Sequence, residues 1–272
     1  MLPAFVAEMD FPLAQPIKTA LFEAIELGDT GYANAPDSNL PGAFAGFAAR
    51  HWNWEVDPEQ VTATTDVVGG LRALLDLVTG PLEKVIVTPP VYFPFFSIVP
   101  EVGADLLEVP LTAEGRLDLP AIGAAFDGGA RAMILCSPHN PAGTVPSRGD
   151  LEELAEIAVR NDAWILADEI HAPLTLPGAT HTPFLEVSDA ARECGICVTS
   201  ASKAFNIAGL SCAVIVTASK RAAKVVSRLP AGATHPGHLG VIASSAAFEA
   251  GDEWLSEVVA QLDFNRRLLA DL

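Results

Sequence analysis

Short apolar runs recur along the chain, each followed by a polar or Gly/Pro cluster and, in several cases, a helix-like stretch. Lys84–Thr88 reads KVIVT and leads into PPVYFPFF; Ala132–Cys136 (AMILC) leads into SPHNPAG. Ala163–Ala167 (AWILA) precedes DEIH, Ile196–Ser200 (ICVTS) precedes ASKAFNIAG, and Cys212–Thr217 (CAVIVT) is a fifth run. Near-continuous apolar strands are what a sheet covered on both faces requires. Between them, Leu151–Arg160 (LEELAEIAVR) sets Leu151, Leu154, Ala155 and Ala158 on one helical face. Strands alternating with helices predict an α/β fold with a mainly parallel sheet. No internal repeat, low-complexity tract or charge block interrupts the pattern.

Composition changes the picture in three ways. Half of the 272 residues are hydrophobic and 18% are charged, so the chain is globular rather than disordered. With 16 Lys and Arg against 34 Asp and Glu, the formal charge of −18 repels phosphate backbones and argues against nucleic-acid binding. The longest uncharged runs, 85–100 and 204–219, are broken by four prolines and by Asn206 and Gly209 respectively, and both fall short of the ~20 apolar residues of a membrane span. Met1-Leu2-Pro3-Ala4-Phe5 has no basic segment and no cleavage pattern, so the expectation is a cytoplasmic protein without a secretion signal. Cys136, Cys194, Cys197 and Cys212 read as buried free thiols. The Cys194-x-x-Cys197 pair opens a strand rather than a helix, and no second pair or histidine stands at zinc spacing, so no metal site is expected.

Ligands of open α/β sheets bind beyond the carboxyl ends of the strands. Four such ends supply distinct groups here: Tyr92, Asn140, Asp168 and Lys203. Lys203 is one of five lysines and the only charged residue among the 26 between Glu193 and Lys220. That setting suggests a partly buried amine, where desolvation disfavours the ammonium form. A neutral amine can attack a carbonyl and form a Schiff base. A structural pair with Asp168 or Glu169 is the competing reading, and spacing alone does not separate the two.

The surroundings favour a ligand. Asp168 ends an apolar strand and needs a cationic or N–H partner, which a protonated pyridine nitrogen provides. Asn140 offers an amide donor for a phenolate oxygen, Tyr92 a flat face for stacking. Ser200 and Ser202 are small donors suited to a phosphate. Thr62–Val78 reads as a loop entering a helix, where the N–H groups of Asp66, Val67 and Val68 could hold that phosphate. Asp66 sits awkwardly beside a dianion unless its side chain caps the helix and points away. Together these groups match pyridoxal 5'-phosphate.

The stretches Val6–Phe11 (VAEMDF), Gly31-Tyr32, Thr88–Phe96, Ser137–Gly143 (SPHNPAG), Ala167–His171 (ADEIH), Ser200–Leu210 (SASKAFNIAGL) and Ala246–Leu255 carry a resemblance over nearly the whole chain. It resembles the fold-type-I pyridoxal-phosphate enzymes of the class I/II aminotransferase superfamily, and within them the MalY/PatB group of cystathionine β-lyase-like proteins. The resemblance implies a three-layer α/β/α large domain and a homodimer with sites at the interface. Lys203 would bind the cofactor covalently, with Asp168 on the ring nitrogen, Asn140 on the phenolic oxygen, Tyr92 on the ring face and Ser200 and Ser202 on the phosphate. Tyr32 would reach the phosphate of a neighbouring subunit. His171 stands where many aminotransferases carry Tyr, and Gly209-Leu210-Ser211 lacks an arginine common there; both favour the lyase branch. A packed, hydrogen-bonded histidine is the plainer reading of His171.

Two departures stand out. By that resemblance the family's small C-terminal domain is expected to be missing, with the arginine that usually binds the substrate carboxylate; Arg266 and Arg267 do not match that motif. Asp66 replaces a common glycine. The expected organisation is therefore residues 1–35 as N-terminal arm and interface, 36–260 as the cofactor-binding domain, and 261–272 as the start of an interdomain helix. The expected activity is β-elimination of a sulfur-containing amino acid, giving thiol, pyruvate and ammonia. Transamination is the alternative, and a truncated, catalytically defective cofactor-binding remnant is the alternative of another class.

Overall fold

A computed structural model describes residues 8–33 and 38–271. Val6 and Ala7 of the first matching stretch, the Met1–Phe5 start, Asn34 and Ala35 of the expected arm, and Leu272 lie outside the described residues. Seven strands are described: β1 Val61–Thr64, β2 Lys84–Val87, β3 Asp105–Glu108, β4 Ala130–Cys136, β5 Trp164–Asp168, β6 Gly195–Thr199 and β7 Ala213–Val216. They form one sheet in the order β1-β7-β6-β5-β4-β2-β3. The pairings β2–β3, β2–β4, β4–β5 and β5–β6 are parallel, and β7 runs antiparallel to both neighbours. The sheet is mixed and mainly parallel.

Eleven α-helices are described: α1 Gln15–Leu27, α2 Leu40–Trp52, α3 Val67–Val78, α4 Phe95–Glu101, α5 Leu119–Asp127, α6 Arg148–Arg160, α7 Asp189–Cys194, α8 Ala201–Ala204, α9 Lys220–Val226, α10 His238–Ala250 and α11 Asp252–Ala270. They cover both faces of the sheet, which gives the three layers that the apolar strands call for. One core holds Phe44, Phe47, Phe126, Leu154, Phe184, Phe205 and Phe248 from the helices and loops of one side. The other holds Leu71, Leu74, Leu75, Phe95 and Ile98 from α3 and α4. Alternation along β5 splits the strand between them: Ile165 and Ala167 face the first core, Trp164 and Leu166 the second.

All five apolar runs of the sequence are strands, and α6 buries Leu151, Leu154, Ala155 and Ala158 as the spacing predicts, with Ile157 added. Its start is fixed by a capping box in which Ser147 and Asp150 bond each other's backbone N–H groups. One expectation is corrected. Thr62–Thr64 is not loop but the body of β1, an edge strand paired to β7. Its threonines suit a half-buried pleat, and only Thr65 and Asp66 separate it from α3. All four cysteines are free and buried. The expected division after residue 260 falls within the single helix α11.

Candidate active site

Strands β6, β5, β4 and β2 are neighbours and parallel, so their carboxyl ends form one edge. Cys136, Asp168 and Val198 stand in register there. Asp168 is the last residue of β5; Asn140 follows β4, Tyr92 follows β2, and Lys203 follows β6. The geometry brings the four chemically distinct strand ends to one place.

Asp168 is buried, and the only hydrogen bond its side chain makes among the described residues is from Ile170 N–H to Oδ1 (3.1 Å). Burial pushes its carboxyl up to about 7; the neighbouring Glu169 charge pushes the same way, while the Ile170 N–H and the Lys203 charge oppose it. Tyr92 is half-buried, edge-on to Phe95 with ring centroids 5.6 Å apart. Burial raises its phenol first, followed by the charges of Asp168 and Asp66. His171 is held below the usual imidazole range by burial and then by the Lys203 charge. Asp168, Lys203, His171, Tyr92 and Asp66 thus share one electrostatic neighbourhood.

Lys203 is half-buried in the four-residue helix α8 and makes no ion pair within 4 Å among the described residues. The structural pair with Asp168 or Glu169 is therefore not formed. Its segment is anchored on two sides. The Ser200 hydroxyl accepts from Ser202 N–H (3.0 Å) as helix cap and donates to the Cys212 carbonyl (2.6 Å). Gly240 of α10 passes so close to the Leu210 carbonyl that a Cβ would collide with it. The Ser200 hydroxyl is thus buried and engaged in holding the loop, while Ser202 is half-buried.

Asp66 caps α3, its Oδ1 accepting from Gly69 N–H (2.8 Å). Val67 and Val68 form the first turn of that helix, whose N-terminal dipole favours an anion. Asn140 N–H donates to the Cys136 thiol (3.3 Å). Beside it, a cavity of about 610 Å³ is lined by His139, Asn140, His171, Leu174, Pro177 and Arg266. Arg266 and Arg267 both pair with Asp263. Tyr32 stands apart, 99% exposed. His181 escaped the reading of the sequence; its Nε2 lies 3.4 Å from Oε2 of Glu169, the acid that the sequence offered only as a partner for Lys203. The available signal was two consecutive acids at a strand end, which cannot point to the same face.

The family model for aminotransferases of class I and II matches residues 9–272. The chain belongs to this family. Among its curated relatives, the cystathionine beta-lyase of Corynebacterium glutamicum is 37% identical across 99% of this chain and 72% of its own length. The cystathionine beta-lyase PatB of Bacillus subtilis (strain 168) is 34% identical across 97% of this chain and 70% of its own length. Among solved structures, cystalysin from Treponema denticola, which contains a pyridoxal 5'-phosphate cofactor, superposes with a TM-score of 0.92 at 25% identity, covering 99% of this chain and 70% of its own. Among the described residues, no helix is long and apolar enough to cross a membrane.

Proposed function

We propose that the protein is a pyridoxal 5'-phosphate-dependent carbon–sulfur lyase that cleaves cystathionine or a cysteine S-conjugate to thiol, pyruvate and ammonia. The observation that carries the reading is the half-buried amine of Lys203, unspent on any ion pair, beside a buried acid that lacks a cation. The donor set suits the cofactor. Asp168, close to neutral pH in its proton affinity, gains most from a cationic ring nitrogen. Asn140 offers an amide to a phenolic oxygen and Tyr92 a ring face; Ser202 and the first turn of α3 at Asp66, Val67 and Val68 offer donors to a phosphate, while Ser200, its hydroxyl spent on the Cys212 carbonyl, contributes by holding α8 in place.

When bound, the cofactor supplies an aldehyde that condenses with amines and a protonated ring that draws electrons from the substrate's Cα. Lys203 would hold that aldehyde and, once free, would serve as general base toward the Cα proton. Asp168 would pair with a protonated ring nitrogen, Asn140 would offer its amide to the phenolic oxygen, and Tyr92 would offer its ring face. His171, held below the usual imidazole range by burial and then by the Lys203 charge, lines the cavity and would orient the substrate. Breakage of the Cβ–S bond follows loss of the Cα proton. The family relatives named cystathionine beta-lyase, matched over almost all of this chain, support the lyase outcome. In this reading residues 36–260 form the cofactor-binding unit, with 1–35 as arm and interface and 261–272 as the start of the interdomain helix. The protein works as a cytoplasmic homodimer: Phe22 and Ile25, three residues apart on one face of α1, are exposed, as is Leu27 at its end, and the exposed Tyr32 would serve a second subunit.

Incubation with cystathionine, with thiol and pyruvate as readouts, tests the reaction. Pyridoxamine phosphate formed without thiol overturns the lyase in favour of a transaminase. Loaded protein is expected to absorb near ~420 nm and to lose that band in Lys203→Ala. A band with no turnover identifies a binding-only protein; no band refutes the cofactor.

A further inference from the structure

The turn that follows β4 is stitched to the strand ends on both of its sides, and on the β2 side the stitch is an imidazole. The β2–β4 register ends at Ile86↔Met133, although β4 runs on to Cys136. Beyond that point the polar groups of the two strand ends need other partners. On the β5 side the Ser137 N–H donates to the Asp168 carbonyl (2.9 Å). On the β2 side His139 Nε2 lies 3.2 Å from the Thr88 carbonyl oxygen and 3.3 Å from the Thr88 hydroxyl. His139 and Thr88 are 4% and 1% exposed. The backbone of His139 also closes the turn itself: its N–H donates to the Thr144 carbonyl (2.8 Å), and its carbonyl accepts from Gly143 N–H (2.7 Å). Asn140 is the next residue of that turn, and Tyr92 stands four residues after Thr88.

A carbonyl oxygen only accepts, so Nε2 carries the ring proton. Nδ1 then holds the lone pair; it is buried and has no hydrogen-bond partner among the described residues. A second proton there would make a buried cation whose new N–H finds no acceptor. Burial accordingly holds the imidazole below its usual range, with the Thr88 bond opposing. His139 is a neutral, fixed donor whose ring bonds only Thr88 among the described residues.

We infer that His139 is a positioning residue: its Nε2–H bond to the Thr88 carbonyl fixes Asn140 and Tyr92 relative to each other, so that one amide and one ring face meet the same cofactor ring. The inference rests on the pyridoxal phosphate reading above. Asn140 serves the edge of that ring and Tyr92 its face, yet they stand on turns from different strands, past the end of the ladder that joins those strands. The imidazole spans the gap. His139 lines the cavity beside Asn140. With Nε2 spent on Thr88 and Nδ1 buried, however, its polar atoms reach a ligand only through its neighbours. Without the donor, the buried Thr88 carbonyl is left unpaired, and both turns are free to settle elsewhere.

The test measures pyridoxal phosphate affinity for wild type, His139→Leu and His139→Gln, and for His139→Leu in an Asn140→Ala/Tyr92→Ala background, with urea midpoints recorded alongside. Leucine fills the space without a donor; glutamine carries an N–H at a similar reach. His139→Leu is expected to lower affinity about tenfold, the effect of leaving a buried carbonyl unpaired. It is also expected to weaken the circular dichroism of the cofactor band near ~420 nm, which reports how the ring is held. His139→Gln regains affinity to within about threefold of wild type. In the Asn140→Ala/Tyr92→Ala background His139→Leu costs less than about twofold, because the groups it positions are gone. A structural role alone would lower the urea midpoint and give the same factor in both backgrounds. Equal factors, an unchanged affinity or dichroic band in His139→Leu, or no recovery in His139→Gln overturns the inference. If His139→Leu does not fold, His139→Met takes its place in the same comparison. Ring-nitrogen NMR of the wild type decides independently of any variant: a proton on Nε2 supports the bond, and a proton on Nδ1 overturns it. A wild type that takes up no cofactor refutes the pyridoxal phosphate reading itself, a failure seen before any variant is made.

Discussion

Asp168 and Glu169 are successive residues with the same chemical group, yet they occupy opposite sides of the sheet. Glu169 is enclosed by a backbone N–H, a thiol and an imidazole. Asp168 faces the open edge with one backbone donor, and its proton affinity is raised accordingly. The difference teaches how a fold sorts structural from reactive acids. The closed side satisfies its acid completely from within the chain; the open side leaves an unmet demand that only an incoming cation fills.

The comparison can be broken most forcefully on the closed side. Phe184→Ala removes a fully buried ring beside Glu169 and is expected to cost about 3–5 kcal/mol in urea unfolding, whereas Tyr92→Ala on the open side costs less than about 2 kcal/mol and shows instead as weaker cofactor binding. Equal losses would erase the distinction. Next, Asp168→Asn is expected to lower pyruvate release by about 10²–10³-fold, while Glu169→Gln keeps most of the activity. A comparable drop in Glu169→Gln would make both acids catalytic.

The pH dependence sharpens the contrast further. In the cofactor-free protein the folded Asp168 titrates at about 7, above the ~3.9 of an unfolded chain. Between those values the folded state binds more protons, so its stability falls as pH rises from about 4 to about 7, by up to ~1.4 kcal/mol per pH unit. Asp168→Asn should flatten that slope in urea midpoints; a slope unchanged in the variant would assign it to another group. The smallest expected effect is Ser200→Ala, about 0.5–2 kcal/mol for a lost cap, read by thermal unfolding.

How far the sequence carried this picture depends on position in the sheet. The five strands recognised from apolar runs are the interior strands of the sheet, paired on both sides and mostly buried, so nearly all their residues are apolar. The two overlooked, β1 and β3, are its edges. Asp105–Glu108 begins and ends on exposed acids, and Val61–Thr64 carries threonines, so neither shows a continuous run. Lys203, Asp168, Asn140 and Tyr92 were legible because each ends a strand or lies within a few residues after one. Tyr32, by contrast, touches none of them within this chain. The His181–Glu169 pair was hidden because its members lie twelve positions apart and meet only where the segment after β5 folds back under the sheet. Ser200 was legible as a residue near the amine, but not as the tie between α8 and the Cys212 carbonyl.

The adjacency of β6, β5, β4 and β2 carries one last consequence. Lys203, Asp168, Asn140 and Tyr92 come from four successive strands spaced ~4.8 Å apart. Only Asp168 stands on a strand; the others stand on α8 and on the turns after β4 and β2, so it is the short segments beyond the strands that draw the groups inward. Lengthening a crossover helix would leave those segments untouched, whereas adding a residue to one of them would displace one group and leave the other three in place.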